Sequence, residues 1–107
     1  MTRDQLTTIL TRLRIELAII LGSRLEAVYL YGSQARGDAR SDSDIDVLVV
    51  LGGDFDLEEV LDKTLELVAN LSLEYDVVIS RSFVSKERFD HEMSPFLMNV
   101  RREAVPV

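Results

Sequence analysis

Two aspartates one residue apart, Asp44 and Asp46, open the apolar run "DIDVLVV", directly after the polar, glycine-containing stretch "YGSQARGDARSDS". Residues two apart on an extended segment point to the same side. Leu48 and Val50 continue the side of the aspartates, and Ile45, Val47 and Val49 line the other. The run is therefore apolar on both faces beyond its first turn, with two carboxylates at its entrance. Two such groups about 5 Å apart repel by roughly 3 kcal/mol at an effective dielectric near 20. Alone, one of them tends to take up a proton. A divalent cation removes the conflict, since Mg²⁺ takes one or two carboxylates and completes its shell with water and phosphate oxygens. The plain alternative is a pair of solvated residues at the start of a strand.

Gly32 and Ser33, separated from Asp44 by ten intervening residues, follow the apolar segment that ends at Tyr31. A glycine there lets the backbone approach a ligand, and the turn after it offers N–H groups and a hydroxyl to an anion. By itself a Gly-Ser pair is simply a turn. Beside Asp44 and Asp46 it completes a set of phosphate donors facing magnesium ligands. Other motif readings fail. Asp42, Asp44 and Asp46 begin like a calcium loop, but Val47 stands at the turn glycine and Gly53 at the bidentate glutamate. Gly32 and Gly37 have the spacing of a P-loop, but Asp38 replaces its lysine and Ala39 its Ser or Thr.

The elements that position these residues follow from periodicity and caps. Leu6, Ile9, Leu10, Leu13, Leu17 and Ile20 predict an amphipathic helix over 4–21, ended by Gly22. "LEAVYLY" (25–31) and "DIDVLVV" (44–50) predict strands. A second helix is expected over 56–71, with Asp54 or Asp56 as its N-cap, and a third strand in "LEYDVVIS" (73–80). Ser85 caps a short helix over 86–91, and Ser94-Pro95 opens a last one. The expected fold is α/β, on a short sheet. Arg36 and Arg40 can neutralise phosphate or pair with Asp38 or Asp42. Phe83, Phe89, Phe96 and the three methionines read as core or interface filling; His91 and Arg101-Arg102 read as solvated helix ends.

"GSQARGDARSDSDIDVLV" resembles the signature of the nucleotidyltransferase superfamily that includes DNA polymerase β and kanamycin nucleotidyltransferase. It is most similar to the minimal nucleotidyltransferases, the MntA-type antitoxins of HEPN/MNT toxin–antitoxin pairs. The resemblance implies an α/β (α+β) minimal nucleotidyltransferase fold, a mixed sheet of three to four strands flanked by about four helices. It implies Mg²⁺-dependent transfer of AMP from ATP, with Mn²⁺ as the alternative ion. Gly32 and Ser33 would hold the β- and γ-phosphates, aided by Arg36, with Ser43 as a supporting donor. Asp44 and Asp46 would bind the metal. Asp76, on the expected third strand, would bind a second metal and take the acceptor's proton, although Glu74 lies on the same face. The implied acceptor is a tyrosine of a partner HEPN toxin. Two rivals stand beside it: neutralisation of the toxin by occlusion alone, and transfer to a small molecule of the aminoglycoside type.

Bulk properties frame this reading. The 107 residues are expected to form one domain, 1–107, with 47% hydrophobic and 29% charged residues. A net charge of −7 disfavours direct gripping of nucleic acid through its phosphates. The absence of cysteine excludes disulfides, thiolate metal sites and a cysteine nucleophile. Arg12, Arg14 and Glu16 interrupt the apolar residues of the N-terminal segment, so it reads as neither a membrane span nor a signal peptide, and a cytoplasmic protein is expected.

Overall fold

The computed structural model describes residues 1–40 and 43–107. Asp42, with the calcium-loop comparison and the ion pairs considered for it, lies outside the described residues. Helix α1 (Arg3–Leu21) starts at a reciprocal cap: the Gln5 N–H donates to the Thr2 hydroxyl, and the Thr2 N–H donates to the Gln5 side chain. It buries Ile9, Leu13, Leu17 and Leu21, the four-residue spacing of a single stripe. A 3-10 turn (Gly22–Arg24) leads into β1 (Leu25–Tyr31), as expected. A four-residue helix α2 (Ser33–Arg36) follows, then β2 (Ile45–Leu51). Helix α3 (Leu57–Tyr75) is capped by the Asp56 carboxylate, and strand β3 (Ile79–Ser85) comes after it. Ser85 and Ser94 cap α4 (Lys86–His91) and α5 (Pro95–Glu103), and a two-residue strand β4 (Val105–Pro106) closes the order.

The sheet is mixed, in the order β3-β2-β1-β4, with β2 and β3 parallel and the other pairs antiparallel. This agrees with the expected α/β class, and the helix beyond the expected four is α2, inside the connection. The odd residues of β2 (Ile45, Val47, Val49, Leu51) pack with α1 and α3, while Leu48 and Val50 pack with Val84 of β3 and Leu97 and Val100 of α5. Both faces of β2 are thus covered, as the apolar run predicts, and Ile45 and residues 47–51 are at most 1% exposed.

One expectation fails. The third strand is not over 73–80: α3 continues through Tyr75, Asp76 ends it in a left-handed conformation (φ 53°), and β3 begins at Ile79. The segment 73–78 carries β-formers, but the helical stripe of Val60, Thr64, Val68 and Leu71 extends to it. Arg12 of α1 then fastens the last turn, pairing with the Glu74 carboxylate and donating to the Tyr75 hydroxyl. Glu74 is therefore tied to α1. The true strand, "ISRSFVS", hides its signal because Ser80, Arg81 and Ser82 interrupt its apolar residues.

Candidate active site

Strand β1 ends at Tyr31, which lies opposite Asp46 in the β1–β2 register; Ser80 of β3 lies opposite Asp46 on the other side. The chain leaves β1 through Gly32, at φ 75° and ψ −156°, a region essentially restricted to glycine. A Cβ on Gly32 would sit 2.5 Å from Asp46 Oδ2. Glycine is thus required twice, by its backbone conformation and by the carboxylate packed against it.

Helix α2 turns immediately. The N–H groups of Ala35 and Arg36 donate to the Gly32 carbonyl, and those of Gly37 and Asp38 donate to the Ser33 carbonyl. The N–H groups that open a helical turn have no partner within it, and here they belong to Ser33 and Gln34. The Gln34 side-chain amide donates to the Ser43 carbonyl (3.4 Å), tying this turn to the residue before Asp44. Ser43 is bonded twice to Arg40: its hydroxyl accepts from the Arg40 N–H (2.8 Å), and its N–H donates to the Arg40 carbonyl.

Asp44 is exposed and Asp46 half-buried. Burial pushes the Asp46 carboxyl above its ordinary range, the Asp44 charge adds to this, and Arg36 opposes it. With the folded-state pKa above the ordinary 3.8, the folded chain holds the proton where the unfolded chain has lost it. That contribution to stability is present at low pH and disappears as pH rises through the raised value. In a chelating, metal-free buffer, Asp46→Asn is therefore expected to be more stable than the parent near neutrality. Its advantage should shrink as pH falls through the window toward 3.8, as urea denaturation at several pH values would show.

Arg36 stands beside the pair but is held elsewhere: its Nε donates to Asp38 and its Nη1 to Glu103 of α5, each at 3.3 Å. These bonds, Asp38 first, raise its guanidinium pKa. Glu103 lies 67 residues away in sequence, so no local signal could have revealed it. Asp76 is placed at the end of α3, where it lines a small cleft with Gln5 and Tyr75. Among the described residues no group of three or more His, Cys, Asp or Glu side chains is arranged to hold a metal ion. The parallel register shows which positions flank the aspartates: Ser80 of β3 beside Asp46, and, just before β3, Val78, whose carbonyl accepts from the Ile45 N–H, beside Asp44. His91 is an exposed helix end, as expected. Arg101 is not a solvated helix end: it donates to the carbonyls of Phe89 and Glu92, both at 2.6 Å, and docks α4 onto α5.

A glycine turn leaving one strand and facing paired aspartates at the start of the next is the candidate site of this fold. The family model described as polymerase beta, nucleotidyltransferase matches residues 16–94, and the chain belongs to that family. It is 41% identical over 81 residues to a Methanocaldococcus jannaschii protein provisionally named protein adenylyltransferase MJ0604, covering 75% of each chain. A second relative from that organism, provisionally named protein adenylyltransferase MJ0141, is 34% identical over 76 residues, covering 71% of this chain and 76% of the relative. The fold is similar to a Sulfolobus solfataricus crystal structure provisionally described as a nucleotidyltransferase (TM-score 0.54, 20% identity, 99% of this chain and 87% of the other). It is also similar to the crystal structure of a toxin–antitoxin with AMP-PNP (TM-score 0.57, 23% identity, 88% and 68%). Among the described residues no helix is long and apolar enough to cross a membrane.

Proposed function

We propose that this chain, acting as a single cytoplasmic domain, transfers AMP from ATP to a hydroxyl of a partner protein, a tyrosine of a HEPN toxin, and so neutralises it. The observation that carries the reading is the close approach of Gly32 to the Asp46 carboxylate, which brings the phosphate-binding turn and the acidic pair to one point. The names of the two relatives support a protein acceptor. The likeness to a toxin–antitoxin bound to AMP-PNP supports an ATP donor and a toxin partner.

The donor set fits a divalent cation. Asp44 and Asp46 offer hard oxygens, and Asp46 is half-buried next to a like charge, with the nearby Arg36 engaged by Asp38 and Glu103. Bound there, Mg²⁺ would neutralise the phosphate oxygens and lower the barrier to displacement. The chain's own residues position the reactants. The N–H groups of Ser33 and Gln34 and the Ser33 hydroxyl receive the terminal phosphates. Asp46, braced between Tyr31 and Ser80, would hold the cation together with Asp44. The acceptor oxygen bonds to the α-phosphorus, the bond to the bridging oxygen breaks, pyrophosphate departs, and the hydroxyl proton passes to water.

The test is the intact mass of the partner toxin after incubation with this chain, ATP and Mg²⁺. A gain of one or more AMP units establishes the transfer; a stable complex with no gain overturns it. The occlusion reading draws on one specific observation: the positions that flank the aspartates at the start of β3, Val78 and Ser80, carry no carboxylate. It follows that Val78→Asp adds a ligand beside Asp44. Cation affinity increases with ligand charge, and a gain of about tenfold is expected in a calorimetric Mn²⁺ titration. An unchanged affinity would mean that position 78 does not adjoin the cation.

A further inference from the structure

Beside Gly32 a cleft of about 270 Å³ opens between the phosphate-binding turn and α5, lined by Tyr31, Gly32 and Arg36 on one wall. The facing wall is a single stripe of α5: Phe96, Asn99, Val100 and Glu103, at the three-, four- and seven-residue spacing that stacks side chains on one helix face. The cleft lies on the aspartates' side of the sheet, because Tyr31 and Asp46 are directly opposed in an antiparallel pair and so share a face. We propose that it is the nucleobase subsite of the nucleoside triphosphate, with Phe96 as the surface on which the base stacks. This rests on the reading of the Gly32–Asp46 site as the place of the phosphates.

Three observations carry the assignment. The first is that core packing does not require an aromatic at position 96. Helix α5 is anchored by Leu97 and Val100, at 1% and 2% exposure, while Phe96 is 45% exposed and meets the Tyr31 ring edge-on at 5.5 Å. Second, the cleft is smaller than the pockets that enclose a whole drug-sized ligand, which begin near roughly 300 Å³. It suits one ring system continuous with a chain that runs out over Gly32. The third is the charge of the rim. Arg36 and Glu103 face each other there and cancel, so the cleft favours a neutral planar group beyond the anionic phosphates. Asn99 adds an amide N–H₂ to that rim, its oxygen being occupied by Arg102 at 2.7 Å. Stacking of a base on an aromatic side chain contributes about 1–3 kcal/mol and tolerates any base.

The experiment compares the binding of ATP and of inorganic tripolyphosphate, each with Mg²⁺, to the parent chain, Phe96→Ala and Phe96→Tyr. The expected result is that Phe96→Ala weakens ATP about tenfold, within the range of one stacking contact, and leaves tripolyphosphate unchanged. Phe96→Tyr, which keeps the ring, should bind ATP like the parent. Equal loss for both ligands, or no loss for either, overturns the assignment. So does a Phe96→Ala chain that binds ATP normally but slows transfer to the partner protein, because the cleft would then receive the acceptor. A parent chain that binds tripolyphosphate as tightly as ATP overturns the base subsite while leaving the phosphate site standing. One that binds neither overturns both.

Discussion

Asp44→Asn combined with Asp46→Asn is expected to abolish AMP transfer while the domain stays folded and still binds its partner. The two side chains sit at the mouth of β2, Asp44 exposed and Asp46 half-buried, on the opposite face from the fully buried Ile45 between them. Asparagine keeps the shape and removes two negative charges, and with them the burial penalty and the smaller mutual repulsion that hold the Asp46 carboxyl above its ordinary range. The fold should therefore be retained or slightly stabilised. Loss of a single preorganised electrostatic group can cost 10²- to 10³-fold in rate, and removal of both carboxylates should cost at least about 10³-fold. Intact-mass kinetics on the partner toxin, with gel filtration of the complex in parallel, separates the outcomes. Partner binding without modification is the expected pair. A double variant that still neutralises the toxin fully would favour occlusion over catalysis.

Gly32→Ala should be nearly as damaging, for a different reason. The added methyl would lie 2.5 Å from Asp46 Oδ2, closer than non-bonded atoms approach, and neither the strand end nor the turn has an easy escape. Tyr31 before it is paired in the sheet, and the Gly32 carbonyl already accepts two N–H groups of α2. The backbone at φ 75° and ψ −156° adds strain of about 1–3 kcal/mol for any residue with a Cβ. The Asp46 side chain is the softest object nearby and should rotate away. A stability loss of about 1–3 kcal/mol in urea denaturation should accompany a fall in transfer rate of roughly 10²-fold, the scale of a displaced electrostatic group. By contrast Gly37, whose added Cβ would meet nothing within 4 Å, has only the conformational penalty of its φ of 80°. If Gly32→Ala and Gly37→Ala reduced transfer equally, the contact with Asp46 would not be what Gly32 supplies.

Much of the scaffold was legible because its signals are local. The apolar stripe that ends at Gly22, Ser85 before one helix and Ser94-Pro95 before the next are signals that act within a turn or two of helix, so α1, α4 and α5 could be read where they occur. The two-residue period of "DIDVLVV" likewise assigned the faces of β2 correctly, with Leu48 and Val50 on one side and Ile45, Val47 and Val49 on the other. Misreading began where local preference and tertiary packing disagree. Tyr75, Val77, Val78 and Ile79 are strand formers, yet Tyr75 is the last residue of α3, held by Arg12 from 63 residues earlier in the chain. Asp76 was consequently placed on a strand when it terminates a helix, and the serine-interrupted β3 went unseen.

By itself, then, the sequence determined the class of chemistry and singled out the acidic pair as its candidate centre, because strand alternation and the Gly-Ser turn are properties of a few adjacent residues. Only the tertiary structure decided what surrounds that pair. The strand register puts Val78 and Ser80, not Asp76, next to the aspartates. The return of α5 across the sheet brings Glu103 to Arg36 and Phe96 to Tyr31. Those neighbours are set by which elements share a core and in what register, and such long-range contacts leave no periodic trace in the chain that makes them.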